Sequence, residues 1–158
     1  GVAEVAGGGS GNAVVNNQAY TLRTDKDTHF TGAIVQNATE EENLTGLFAN
    51  KIKIVGVRLQ SDQQLDYRLI FFGTDGFADT NLDLDRFSGE VEVDLPSYGW
   101  RIAGAGQYYM VVTGLDIDYE DVDATNELHV SLQNISATAK NAGATGEVVV
   151  EFVYEERL

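Results

Sequence analysis

Asp79, Asn81, Asp83 and Asp85, with Glu90 following, form a spaced run of oxygen ligands. Their spacing matches positions 1, 3, 5, 7 and 12 of an EF-hand calcium loop. Leu84 stands at position six, where the sharp turn needs glycine, and a strand pattern rather than a helix follows, so the EF-hand reading fails. A looser calcium site built from Asp79, Asn81, Asp83, Asp85 and Glu90 is set against a solvated Asp-rich turn, the commoner fate of such sequence. A second acidic run holds Asp116, Asp118, Glu120, Asp121 and Asp123. Asp116 and Asp118 share a strand face, where they repel unless spread, paired or metal-bound. A solvated strand end is the favoured reading there.

Other chemistry is thinly represented. Cysteine is absent, which excludes disulfides, thiolate metal sites and cysteine nucleophiles. The only imidazoles are His29 and His129, each in a strand-like stretch, where a histidine is more often hydrogen-bonded or solvated than catalytic. Ser10 sits in a glycine-rich segment rather than on a strand-to-helix elbow. No enzyme is expected. Tyr98 and Trp100 lie between glycines and could stack on a sugar ring or anchor a partner; plugging one end of a sandwich is the slightly favoured alternative. The formal charge of −15, from 25 acidic and 10 basic residues, argues against direct nucleic-acid binding and against an anionic membrane surface.

The elements that must position these residues read as strands. Gln107 to Glu120 alternates at period two and is expected to be the central strand. Tyr109, Val111, Thr113, Leu115, Ile117 and Tyr119 share one face. The other face turns from apolar to acidic halfway along. Further strands are expected over Ala13–Leu22, His29–Gln36, Lys51–Gln60, Leu65–Gly73, Phe87–Leu95, Glu127–Ile135 and Gly146–Glu155. The apolar phase changes at Val55–Gly56, as at a β-bulge. Leu65–Gly73 is apolar on both faces and reads as covered on both sides. Pro96 ends its strand, Ser97–Gly106 reads as a long loop and Asp121–Asn126 as a turn.

One short helix is expected over Asn37–Asn50. Thr39 caps it, Glu42 completes a capping box, and Leu44, Leu47 and Phe48 form its apolar stripe. Residues 1–12 are glycine-rich and aperiodic, a flexible arm that either frays or orders against a neighbouring subunit through Val2, Val5 and Ala6. Residues 13–158 form a single domain. Eight strands, one helix and no β-α alternation give an all-β fold, an eight-stranded antiparallel jelly-roll sandwich of two four-stranded sheets. An immunoglobulin-like sandwich is the alternative.

With its strand count, glycine-rich arm, early helix and the run from Tyr108 to Tyr154 containing LHVSLQNISATAKNAGATGEVVVEFVYE, the chain resembles the single jelly-roll proteins of virus shells and phage-head decoration. The resemblance implies a non-enzymatic virion structural protein, a capsid decoration or minor capsid component. It would form a symmetric homo-oligomer on a major capsid or other shell protein, and its acidity suits the outer surface of the virion. The resemblance transfers no functional residue. The alternative function is a carbohydrate-binding jelly roll using Tyr98, Trp100 and calcium.

Overall fold

The computed structural model describes residues 14–24, 39–74, 87–136 and 148–158. They form nine strands: β1 (Val14–Arg23), β2 (Thr39–Thr45), β3 (Lys51–Ser61), β4 (Tyr67–Phe72), β5 (Phe87–Leu95), β6 (Arg101–Gly104), β7 (Gln107–Glu120), β8 (Glu127–Asn134) and β9 (Val149–Arg157). They make two antiparallel sheets, a five-stranded one in the order β1-β9-β3-β7-β6 and a four-stranded one in the order β2-β8-β4-β5.

The pairing identifies the fold. With β6 set aside, first pairs with last: β1 with β9, β2 with β8, β3 with β7, and β4 with β5. These nested pairs fall alternately in the two sheets, as when one long hairpin is rolled around a barrel axis. That is the jelly roll rather than the immunoglobulin order. The ninth strand, β6, is a hairpin extension on the free edge of β7.

The core is the alternate faces of the two sheets. Ile52, Ile54, Val57 and Leu59 of β3 and Val150, Phe152 and Tyr154 of β9 meet Leu69 and Phe71 of β4 and Leu128, Val130 and Leu132 of β8. Phe71 packs edge-on against Phe152 and Tyr119 across the sandwich, with centroid separations of 5.9 and 6.4 Å. β4 is buried on both faces, with Ile70 and Phe72 forming a second apolar cluster behind the sheet. The β3 bulge lies where the phase change placed it: the register shifts between Ile54 and Gly56 against both β7 and β9.

Five expectations are corrected. The helix over Asn37–Asn50 is not formed. Thr39–Thr45 is β2, paired residue for residue with β8 from Thr39↔Gln133 to Thr45↔Glu127. An isolated short helix is marginal, whereas the ladder supplies backbone partners. As an edge strand β2 also tolerates its run of glutamates. Gly46, inside the expected helix, has φ +101, which ends any helical path there. Leu44 and Leu47 still reach the core, while Phe48 lies against Tyr20 at a centroid distance of 4.3 Å.

Ser97–Gly106 is not a loop throughout. A 3-10 turn (Ser97–Gly99) leads into β6, whose four residues are too few to show a period. The sheets consequently hold five and four strands rather than four each. Finally, β3 and not β7 is the middle strand of its sheet, and β7 does not keep one phase. The strand expected over His29–Gln36 lies outside the described residues, as does the arm with Val2, Val5 and Ala6.

Candidate functional site

The phase of β7 decides what the molecule presents to solvent. Tyr108, Met110 and Val112 face inward along its first half, and Leu115, Ile117 and Tyr119 along its second. The change occurs at Gly114, whose φ of +73 is backbone that a β-carbon disfavours. It lies beside the β3 bulge, between the pairs Gly56↔Thr113 and Ile54↔Ile117. The slip turns Tyr109 and Val111 outward, with exposures of 42% and 55%.

Two unlike halves result on the outer face of the five-stranded sheet. Beyond the bulges the face is polar and ion-paired. Lys53 Nζ donates to Asp116 Oδ1 at 2.7 Å and lies 3.6 Å from Asp118 Oδ1. These contacts, the Asp116 bond foremost and against some desolvation, raise the lysine pKa. The pairing answers the repulsion that the shared face of Asp116 and Asp118 implied. Arg157 Nε and Nη2 donate to the carbonyls of Ile52 and Tyr119 at 2.9 and 3.1 Å, which pins the end of β9 across β3 to β7.

The other half is apolar and basic. Cross-strand register lines up Arg101, Tyr109, Gln60 and Val149 in one row, and Val111, Arg58, Glu151 and Arg23 in the next. Arg58 Nη1 donates to Glu151 Oε1 at 2.6 Å. Arg23 and Arg101 are exposed, and their side chains make no ion pair or hydrogen bond among the described residues. A depression of about 250 Å³ opens between Arg23, Arg58, Gln60, Tyr109, Val149 and Glu151. At the β6 edge Tyr98 is 86% exposed and Ile102 76%, but Ile102 pairs with the inward-facing Tyr108 and so lies on the opposite face from Tyr109. Aromatic, aliphatic and arginine side chains together are the composition of partner-binding surfaces.

Trp100 is used differently from Tyr98. It is only 6% exposed, its Nε1 donates to the Leu65 carbonyl at 2.8 Å, and its ring meets Tyr67 edge-on at 6.2 Å. Its indole closes the end of the sandwich. Ser97 N donates to Asp66 Oδ1 and tethers the 3-10 turn to the loop before β4. Of the expected calcium ligands, Asp79, Asn81, Asp83 and Asp85 lie outside the described residues, and Glu90 is described only as a member of β5.

A different cluster forms at the β7–β8 turn, where ligand atoms of Asp121, Asp123 and His129 lie within 4.8 Å of one another. Asp121 is buried and already committed. Its Oδ2 accepts from Thr125 N, Thr125 Oγ1 and Glu127 N at 3.0, 2.9 and 2.9 Å, and its Oδ1 accepts from Asp123 N at 3.1 Å. His129, also buried, has Nε2 at 3.3 Å from Asp121 Oδ1 and Nδ1 at 2.7 Å from Asn43 Oδ1. A cation there would have to displace bonds that shape the turn, so the donor set fits a structural carboxylate better than a metal ligand. Burial opposes ionisation of Asp121, but its backbone and hydroxyl donors, with His129, outweigh burial and hold its pKa low.

No helix among the described residues is long and apolar enough to cross a membrane. Comparison with protein-family models finds none that matches the chain, and comparison with curated proteins finds no match.

Proposed function

We propose that this protein is a non-enzymatic structural subunit that assembles as a symmetric oligomer, as a capsid decoration or minor capsid component on the outside of a virion shell. The observation that carries the reading is the exposed half-face of Tyr109 and Val111 with three arginines, on a jelly roll whose other β7 face packs against the core. Monomeric soluble domains seldom leave such a surface uncovered. Fold alone does not carry function, but a rigid sandwich with one unsatisfied face is suited to lateral packing. The buried groups at the β7–β8 turn all have scaffold roles, which leaves this face as the richest binding surface among the described residues. The carbohydrate-binding alternative keeps Tyr98 but loses Trp100 as a stacking platform.

Sedimentation of the purified full chain over a wide concentration range tests the proposal. A single closed species several times the subunit mass of 17.1 kDa is expected. A monomer at every concentration would overturn it.

A further inference from the structure

We infer that the arginine-bearing half of the five-stranded sheet is one side of a heterologous interface, and that its occupant is a carboxylate-bearing surface of a second copy of this chain. The inference rests on the assembly reading above and names the surface and the symmetry type. Arg23, Arg58 and Arg101 are spread across this half-face, on β1, β3 and β6, against a single carboxylate among the described residues, Glu151, in a chain with a formal charge of −15. The remainder of the chain is therefore strongly net acidic, and two copies repel wherever acidic surfaces meet.

Contact is favourable where this face meets that acidic remainder. Pairing of like faces about a two-fold axis is disfavoured, because it would gather the three arginines of both copies into one interface with only Glu151 of each to offset them. A patch that binds a different patch on the next copy generates a ring where the rotation closes and an open filament where it does not.

The details of the face suit carboxylates. The guanidinium groups of Arg23 and Arg101 hold no partner among the described residues, and each can take a carboxylate through two parallel N–H donors. Arg58 is held by Glu151, so its outer donors are oriented without being free to collapse. Tyr109, Val111 and Val149 lie between these groups and supply the apolar area that excludes water around them.

The test is the double substitution Arg23→Glu and Arg101→Glu in the full chain. Both side chains are exposed and make no described contact, so melting temperature and circular dichroism serve as fold controls. Self-association is expected to weaken about tenfold or more. The variant still offers its acidic surface to a wild-type face, so small amounts mixed with wild type should end growing assemblies early and reduce their mean mass. Wild-type-like assembly by a folded variant would overturn the inference and leave the assembly reading standing through another surface. A wild-type chain that never associates would overturn both. A loss of association in which added variant fails to shorten wild-type assemblies would overturn the heterologous geometry.

Discussion

At the scale of single residues, Asp121 is a heavily bonded side chain. Its carboxylate gathers the N–H groups of residues 123, 125 and 127 into the β7–β8 turn and meets His129 from the neighbouring strand. Asp121→Asn keeps the size but loses charge and acceptor capacity, and should lower unfolding free energy by about 2–4 kcal/mol at neutral pH. The pKa of Asp121 is lower folded than its ordinary 3.8, so its ionisation stabilises the fold above that value. That stability is lost as pH falls through the folded value. Urea midpoints of wild type and Asp121→Asn should therefore be well separated at pH 7 and converge in acid. A constant separation would contradict the assignment. Two buried tyrosines act at the other end of the scale. Burial pushes Tyr67 up to about 12, and Tyr119 higher still. Raised folded values mean stability that is complete below about pH 10 and lost as pH climbs toward 12. Phenolate absorbance from these two rings should thus rise only together with loss of β-sheet circular dichroism.

At the scale of elements, the paired irregularities in β3 and β7 set what the five-stranded sheet displays. A β-carbon at Gly56 would lie 3.1 Å from the Val112 carbonyl oxygen, so β7 would have to give by a few tenths of an ångström to admit a side chain. Gly114 has open space around it and is constrained by its φ of +73 alone. Gly114→Ala is therefore expected to cost about 1–2 kcal/mol from backbone strain without any clash. Gly104→Ala, also in open space but without the positive φ, should change stability by less than about 0.5 kcal/mol. Thermal melts of the two variants check this directly, and equal melting temperatures would remove strain as the cause. A one-residue slip exchanges the faces of a strand. The Gly114 irregularity therefore keeps Met110 and Ile117 both in the core while sending Val111 and Asp116 to solvent.

At the scale of the whole molecule, the nested pairing of β1 with β9 through β4 with β5 places the chain ends of the sandwich in the same sheet, beside the candidate interface. Arg23 at the end of β1 and Arg101 on β6 lie on opposite edges of that sheet, so both edges can engage neighbours. The assembled state should accordingly have a higher melting temperature than the dissociated chain, and a melting temperature that rises with protein concentration, because association stabilises only the folded form. A concentration-independent melt would speak against assembly.

The sequence by itself determined the all-β class, the bounds of β5 and β7 and the core positions of β8 and β9. Period-two alternation is a local property, and Val148, Val150, Phe152 and Tyr154 are buried as that period requires. It also determined the bulge in β3, because a phase change is visible when one face is apolar and the other is not. The tertiary structure alone decided Thr39–Thr45. A capping box and a three-residue stripe favour a helix locally, while the competing β8 ladder lies far along the chain. It also decided the outward face of β7. Both faces of Tyr108–Val112 are apolar, so alternation cannot tell core from surface, and only the slip at Gly114 against β3 selects Tyr109 and Val111 for solvent. The arginine cluster was hidden for a related reason. Arg23, Arg58 and Arg101 are scattered in sequence, and cross-strand register, a product of sheet pairing, is what brings them onto one face.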